Sequence, residues 1–480
     1  MADLTEESAA PAAPTDPGGP TGTLCTWLAE TQLTDVPPEV QERAKHLILD
    51  GIGCLLLGSH LEWSALGTEA VTDFDRGGEF LVVASGRSTS AFSAAALNSS
   101  FIQGFEFDDY FPGAPLHSNS IVLPAMLPVI QQRQVSGAQL LLATILGYEV
   151  GTRVGLSLHG PEMLTRGWHS GAVFGGPAAA ASAGRLLGLT AAAFEDAIGI
   201  AATQSAGLMS AQFESMVKRM QHGFASRNGL YGAVLAASGY VGIKRVFERG
   251  YGSYLDVYGE GHSPDATQIA LNLGSTWNTS DIAVKPYAAM GALHAGIDAA
   301  LTIRGPKPID AKDVASIKAV VGVPAYQHGG FDITQPIQPV TAQMSLKYSV
   351  CVALLDGQAL LQQYASSRIN QPDVWGLIDV TTVTKDPSYD QPPHTGYTTD
   401  LTVTFKDGST KHHLVETPTG GVDHPLSNDD IVKKFRSLTG AVTTEARAQQ
   451  LLDTVLNLDT LQNAGDLLTL LTDPVKNPLA

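Results

Sequence analysis

Three carboxylates, a histidine and a run of helix-capping residues fall together in the stretch Glu106-Phe-Asp-Asp-Tyr-Phe-Pro-Gly-Ala-Pro-Leu-His-Ser-Asn-Ser120. Carboxylates beside an imidazole are the side chains that general acid–base chemistry uses. Pro112, Gly113 and Pro115 interrupt any regular element, so the acidic half and the histidine half are expected on two segments joined by a tight loop. Ser118, Asn119 and Ser120 precede the apolar run Ile121 to Ile130, a pattern that predicts a capped helix with His117 at its entrance. Free backbone N–H groups and the positive end of the helix dipole make such an entrance a site for a carboxylate ligand. A plain surface turn with a capping histidine would account for the same residues. A metal site built from Asp108, Asp109 and His117 is a further alternative, weakened by the lack of any CxxC or HxxxH motif.

Two other stretches repeat the arrangement. Gly167-Trp-His-Ser-Gly171 places His169 and Ser170 ahead of an Ala/Gly-rich helix running to Leu187. Met216-Val-Lys-Arg-Met-Gln-His222 precedes a small-residue helix predicted from about Phe224 to Tyr240, and Lys218 is flanked there by Arg219, His222 and Arg227. Each residue alone reads as a solvated or structural polar group. Three helix entrances that each carry a cationic side chain favour a negatively charged ligand.

A chain of 480 residues can build two or three domains and a large core. It is 44% hydrophobic but 7% aromatic, with 49 glycines, so the core must be packed from small and aliphatic side chains. A net charge of −18 argues against nucleic acid or an anionic membrane as partner, and makes local clusters of Lys and His informative. Cys25, Cys54 and Cys351 offer neither a disulfide framework nor a zinc spacing, which fits a reducing, cytoplasmic setting. The longest apolar stretch, near Leu140 to Leu158, carries Glu149 and Arg153, so no membrane span is expected.

Residues 1–21, rich in Ala, Pro, Gly, Thr and acids, are predicted to form a disordered tail. Apolar residues recur at helical spacing from Pro38 to Ser59, over 90–104 and over 137–154; Gly51-Ile-Gly53 inside the first of these reads as close helix packing. After about Asp281 the texture changes. Val284-Lys-Pro-Tyr287 is predicted to open a helix carrying His294, Val314 to Val323 a strand, and Thr341 to Ala365 one long amphipathic helix. Thr381–Thr384 and Thr398–Phe405 read as strands, with Lys406-Asp-Gly408 turning a hairpin. From Ser427 helices return. The fold class expected is mostly α: a discontinuous all-helical domain, 22–282 with 420–480, and a smaller inserted α+β domain, 283–419, with a ligand cleft between them.

The chain has no Gly-x-Ser-x-Gly elbow, P-loop, strand-borne Gly-x-Gly-x-x-Gly or His-Glu-x-x-His. Acid–base chemistry by His, Lys, Tyr and carboxylates on an anionic substrate remains, without a cofactor or metal. SSFIQGFEFDDYFPGAPLHSNSIVLPA (99–125), GWHSGAVFGGPAAA (167–180), GLMSAQ (207–212), MVKRMQHGFASRNGL (216–230), VKPY (284–287) and the closing DPVKNPLA (473–480) resemble the MmgE/PrpD family, most of all its fungal members that decarboxylate cis-aconitate.

That resemblance implies a helical domain with an α+β lid, a homodimer, and cofactor-independent decarboxylation of cis-aconitate, a tricarboxylate, to itaconate and CO2. A 2-methylcitrate dehydratase-like lyase and a non-catalytic tricarboxylate-binding protein are the alternatives. It implies catalytic roles for His117, His169, Lys218, Lys285, Asp108 and the lid tyrosine Tyr326, and substrate contacts from Glu106, Asp109, His222 and Met209. The sequence departs from the family pattern at Phe111 and at Ala288-Ala289-Met290.

Overall fold

The computed structural model describes residues 12–479 apart from Pro393 and Thr395. Its first half is a pile of helices: Pro20–Glu30, Pro38–Gly58, Glu62–Phe74, Ala91–Ile102, Ser118–Gln132, Gly137–Ser157, Ser170–Leu187, Ala191–Ala202 and Val217–Ala237. Small residues let these helices approach closely. A Cβ on Gly229 would lie 2.3 Å from the Ala179 Cβ, which is how Val217–Ala237 comes against Ser170–Leu187. The same helix also packs on Ala91–Ile102 and Ala191–Ala202, so a basic cluster near its start is held deep in the structure.

The second half is mixed. A four-stranded sheet has the order Thr381–Lys385, Val314–Val321, Thr399–Phe405, Thr410–Val415; the first pair is parallel and the others antiparallel. The last two strands form the hairpin expected at Lys406-Asp-Gly408, with Thr404 opposite Thr410. Helices His294–Arg304 and Leu346–Asp356 pack against one another and on the sheet. After the sheet, the helix Asn428–Gly440 returns to the first half and packs on Pro38–Gly58. Gly53 lies against Leu438 and Phe435, and Lys434 pairs with the buried Asp50 at 2.7 Å. Mostly helical content with small sheets agrees with the expected class, and no helix among the described residues is long and apolar enough to cross a membrane.

Several expected elements differ. The long helix from Thr341 to Ala365 is broken: Pro339–Met344 stops at Ser345, whose hydroxyl caps Leu346–Asp356 by accepting from Tyr348 N, and Gly357 ends that helix in the left-handed conformation. Val284-Lys-Pro-Tyr287 does not open a helix; Ala283–Val284 is a short strand, and the helix begins at His294. The basic helix starts at Val217, not near Phe224, so Lys218, Arg219 and His222 lie within its first turns.

The stretch 12–21 is ordered rather than a free tail. Thr15 donates to Glu195 through both its N–H and its hydroxyl at 2.9 Å, Thr21 donates to Glu248, and Pro14 is buried. Residues 1–11 lie outside the described residues. Removing residues 1–21 is therefore expected to lower Tm by about 5 °C or more, because two carboxylates lose charge-assisted partners. A thermal melt at pH 7 checks this; an unchanged Tm would mean that these contacts contribute nothing net.

Candidate active site

Two local devices build the site. The strand Asp109–Tyr110 pairs antiparallel with Ala283–Val284, Asp109 opposite Val284, and so brings Lys285 beside the acidic cluster across more than half the first part of the chain. Phe111 N–H donates to Leu116 O at 2.9 Å and closes the Pro112–Pro115 loop, which delivers His117 to the N-cap of Ser118–Gln132. His169 is likewise the N-cap of Ser170–Leu187. The Ser170 hydroxyl donates to Pro115 O at 2.6 Å and ties the two entrances together.

Glu106 is the centre. It is a buried non-glycine residue in the left-handed region, φ 54°, a conformation that must be held from outside. Three buried cations hold it: Lys218 on Oε1, the Arg219 guanidinium on Oε1 at 2.6 Å, and Lys285 on Oε2 at 3.1 Å. Burial alone would raise its pKa, but Lys218, Lys285 and Arg219 together hold it well below the usual carboxylate range. One carboxylate cannot balance three cations. Burial, opposed by Glu106 and reinforced by Arg219 and Lys285, lowers the Lys218 ammonium to about 8.

Asp108 Oδ2 lies 3.0 Å from His117 Nδ1, and its Oδ1 lies 3.8 Å from Lys285 Nζ. This carboxylate therefore orients the His117 ring. His222 sits between His117 and His169 with ring centroids 4.9 Å from each, and its Nδ1 lies 2.9 Å from the Ser120 hydroxyl. Burial, with His117 and Lys218 nearby, lowers the pKa of His169 and His222 well below the usual value, so both rings are neutral. The His169 Nδ1 and His222 Nε2 atoms are buried without a hydrogen-bond partner among the described residues.

A cavity of about 90 Å³ opens onto this cluster, walled among others by Glu106, His117, His169, Met209, Lys218 and Lys285. Met209 arrives because Met209 N–H donates to Gly167 O at 2.9 Å while His169 N–H donates back to Gly207 O at 3.1 Å. Cations, imidazoles and a solvent-touched ring in one pocket can bind a polycarboxylate, stabilise added negative charge and move a proton.

The sequence-predicted residues do not all reach this wall. Asp109 does not line the cavity: its oxygens accept from Ser118 N–H at 3.0 Å and Asn119 N–H at 3.2 Å, capping the helix from behind. Burial, Asp108 and Asp50 raise its pKa to about 8. His222 stands behind the two lining histidines rather than in the wall. Tyr326 is also outside it, with its ring 5.5 Å from Lys385 Nζ. Of the departing positions, Phe111, Ala288 and Ala289 are buried in the core and Met290 lines the cavity.

Residues that sequence reading missed include Tyr110, Tyr397 and His328 in the wall, and Gln343 behind it. The buried Gln343 amide accepts from Arg219 at 2.6 Å and donates to Phe105 O at 2.7 Å and Ala288 O at 2.9 Å. It thereby fixes the backbone on either side of the cation cluster. An amide far along the chain carries no local signal of such a role.

The chain matches the MmgE/PrpD N-terminal domain over residues 22–267 and the MmgE/PrpD C-terminal domain over residues 287–460. It is 40% identical to a cis-aconitate decarboxylase-like protein of Aspergillus oryzae, across 95% of this chain and 98% of that one. Identity is also 40% to the cis-aconitate decarboxylase of Aspergillus terreus, across 96% and 97%, and 27% to that of Homo sapiens, across 95% of each. Both halves of the chain, with the acidic loop, the two histidine entrances and the paired lysines that they bring together, belong to the MmgE/PrpD family.

Proposed function

We propose that this chain decarboxylates cis-aconitate to itaconate and CO2. The observation that carries the reading is the gathering of Lys218, Lys285, His117 and His169 around Glu106 in one cavity, in a chain 40% identical over nearly its whole length to proteins named for that reaction or as like them.

The chemistry follows from the substrate. Loss of CO2 from the saturated arm of cis-aconitate leaves an electron pair that runs through the double bond onto the far carboxylate, giving a dienolate. Protonation of the former vinylic carbon then gives itaconate, and one proton is consumed per turnover. Lys218 and Lys285 bind carboxylates and stabilise the dienolate charge. Glu106 sets their positions. His117 delivers the proton: His169 and His222 are held neutral, whereas Asp108 behind His117 can balance the charge of a protonated ring. Its side chain is 15% exposed, so solvent can return the proton.

The 283–419 segment acts as an α+β lid over a helical domain formed by both chain ends, which accords with Asn428–Gly440 packing on Pro38–Gly58. The working form is a homodimer. Exposed Val217, Phe224, Tyr231 and Val234 on one helix, with Leu208, Phe213 and Met216 beside them, are apolar surface that a second copy would cover. Three buried unpaired cysteines suit a cytoplasmic setting. Purified protein given cis-aconitate and 2-methylcitrate in parallel tests the reaction class. Release of CO2 and itaconate from the first is expected; water loss from the second without decarboxylation of the first would make it a dehydratase, and tight binding of cis-aconitate without turnover a non-catalytic binder.

A further inference from the structure

The wall of the cavity holds an imidazole that the mechanism above does not use. His328 lines it together with His117 and His169. The residue is 7% exposed, and its Nε2 is buried without a hydrogen-bond partner among the described residues. A buried ring nitrogen with nothing to bond is costly unless a ligand completes it.

Its helix, Val323–Gly329, is firmly seated. A Cβ on Gly329 would come within 2.4 Å of the Leu293 side chain, so the helix lies tight on the Gly291–Leu293 turn. Met290, Gly291 and Ala292 from that turn line the same cavity. The helix also touches Gly160–Thr165, whose Leu164 is in the wall. Successive residues of an α-helix turn by about 100°, so positions two apart point to nearly opposite sides. Tyr326 takes the side towards Lys385 on the sheet, and His328 takes the side towards the cavity.

We propose that His328, not Tyr326, is the residue of this helix that meets the substrate, donating a hydrogen bond to one of its carboxylates. Burial lowers the ring's pKa, so it is neutral and offers one N–H donor. A neutral donor suits a pocket in which the cations are already shared with Glu106. It adds to substrate binding without adding charge.

The inference rests on the decarboxylase reading, and kinetics on cis-aconitate with wild type, His328→Leu, His328→Gln and Tyr326→Phe tests both. His328→Leu is expected to raise KM about tenfold or more with kcat changed less than about threefold, the loss of one hydrogen bond to a charged group. His328→Gln, which can still donate from that place, should stay within about threefold of the wild-type KM, as should Tyr326→Phe. A folded His328→Leu variant with wild-type KM would overturn the proposal, as would equal impairment of the leucine and glutamine variants. Should the leucine variant fail to fold, His328→Phe takes its place under the same criteria. A wild type that binds cis-aconitate without turnover would sink the decarboxylase reading alone, and the same comparison made on Kd by calorimetry then decides the role of His328. A wild type that does not bind cis-aconitate would overturn both.

Discussion

His117→Ala is expected to fold normally and to lose at least about a hundredfold in kcat on cis-aconitate, the usual scale for a lost general acid. The ring caps nothing with its side chain: Asp109, not His117, satisfies the first N–H groups of Ser118–Gln132. Its removal therefore leaves the helix entrance intact while stranding Asp108 without its 3.0 Å partner. KM should change less than kcat, because Lys218 and Lys285 still hold the substrate carboxylates. Steady-state kinetics on the folded variant check this. Wild-type kcat would move the proton donor to His169, Tyr110, Tyr397 or a lysine.

Lys218→Ala should lower kcat by about 10²–10³ and raise KM, since one cation serves both binding and the dienolate charge. Folding should survive because Arg219 and Lys285 remain on Glu106. The pH dependence carries a sign. With the Lys218 ammonium lowered to about 8, the charge is present below that pH and lost above it, so wild-type kcat/KM should fall as pH rises through about 8. That alkaline limb should be missing from Lys218→Ala. Near wild-type kinetics in the folded variant, or an unchanged alkaline limb, would take Lys218 out of the reaction.

Much of this site could be read from the sequence because its parts are local. The loop Pro112–Pro115, the two histidine N-caps and the basic start of Val217–Ala237 are each short runs with strong turn or capping chemistry, and the structure brings them to one cavity. Orientation was less legible. Glu106, Asp108 and Asp109 are nearly adjacent, yet Glu106 points to the cations, Asp108 to His117 and Asp109 to backbone N–H groups, because the left-handed turn at Glu106 and the two-residue strand after it set their directions. Residues brought in over long distances, His328 and Gln343, had no local pattern. In the fold, small-residue helices were plain from periodicity, but the break at Ser345 hides in an apolar run that one helix or two can satisfy. The ordered stretch 12–21 hides in a tail-like composition, since its anchors, Glu195 and Glu248, lie elsewhere in the chain.

The most direct test of the central claim is proton NMR of wild-type protein with cis-aconitate in D2O. Itaconate should appear with one deuterium at the methylene carbon that was vinylic in the substrate, placed there by the site acid, and the signal should collapse in His117→Ala. No itaconate from an active-looking, folded protein, or water addition across the double bond instead of CO2 loss, would contradict decarboxylation at this site.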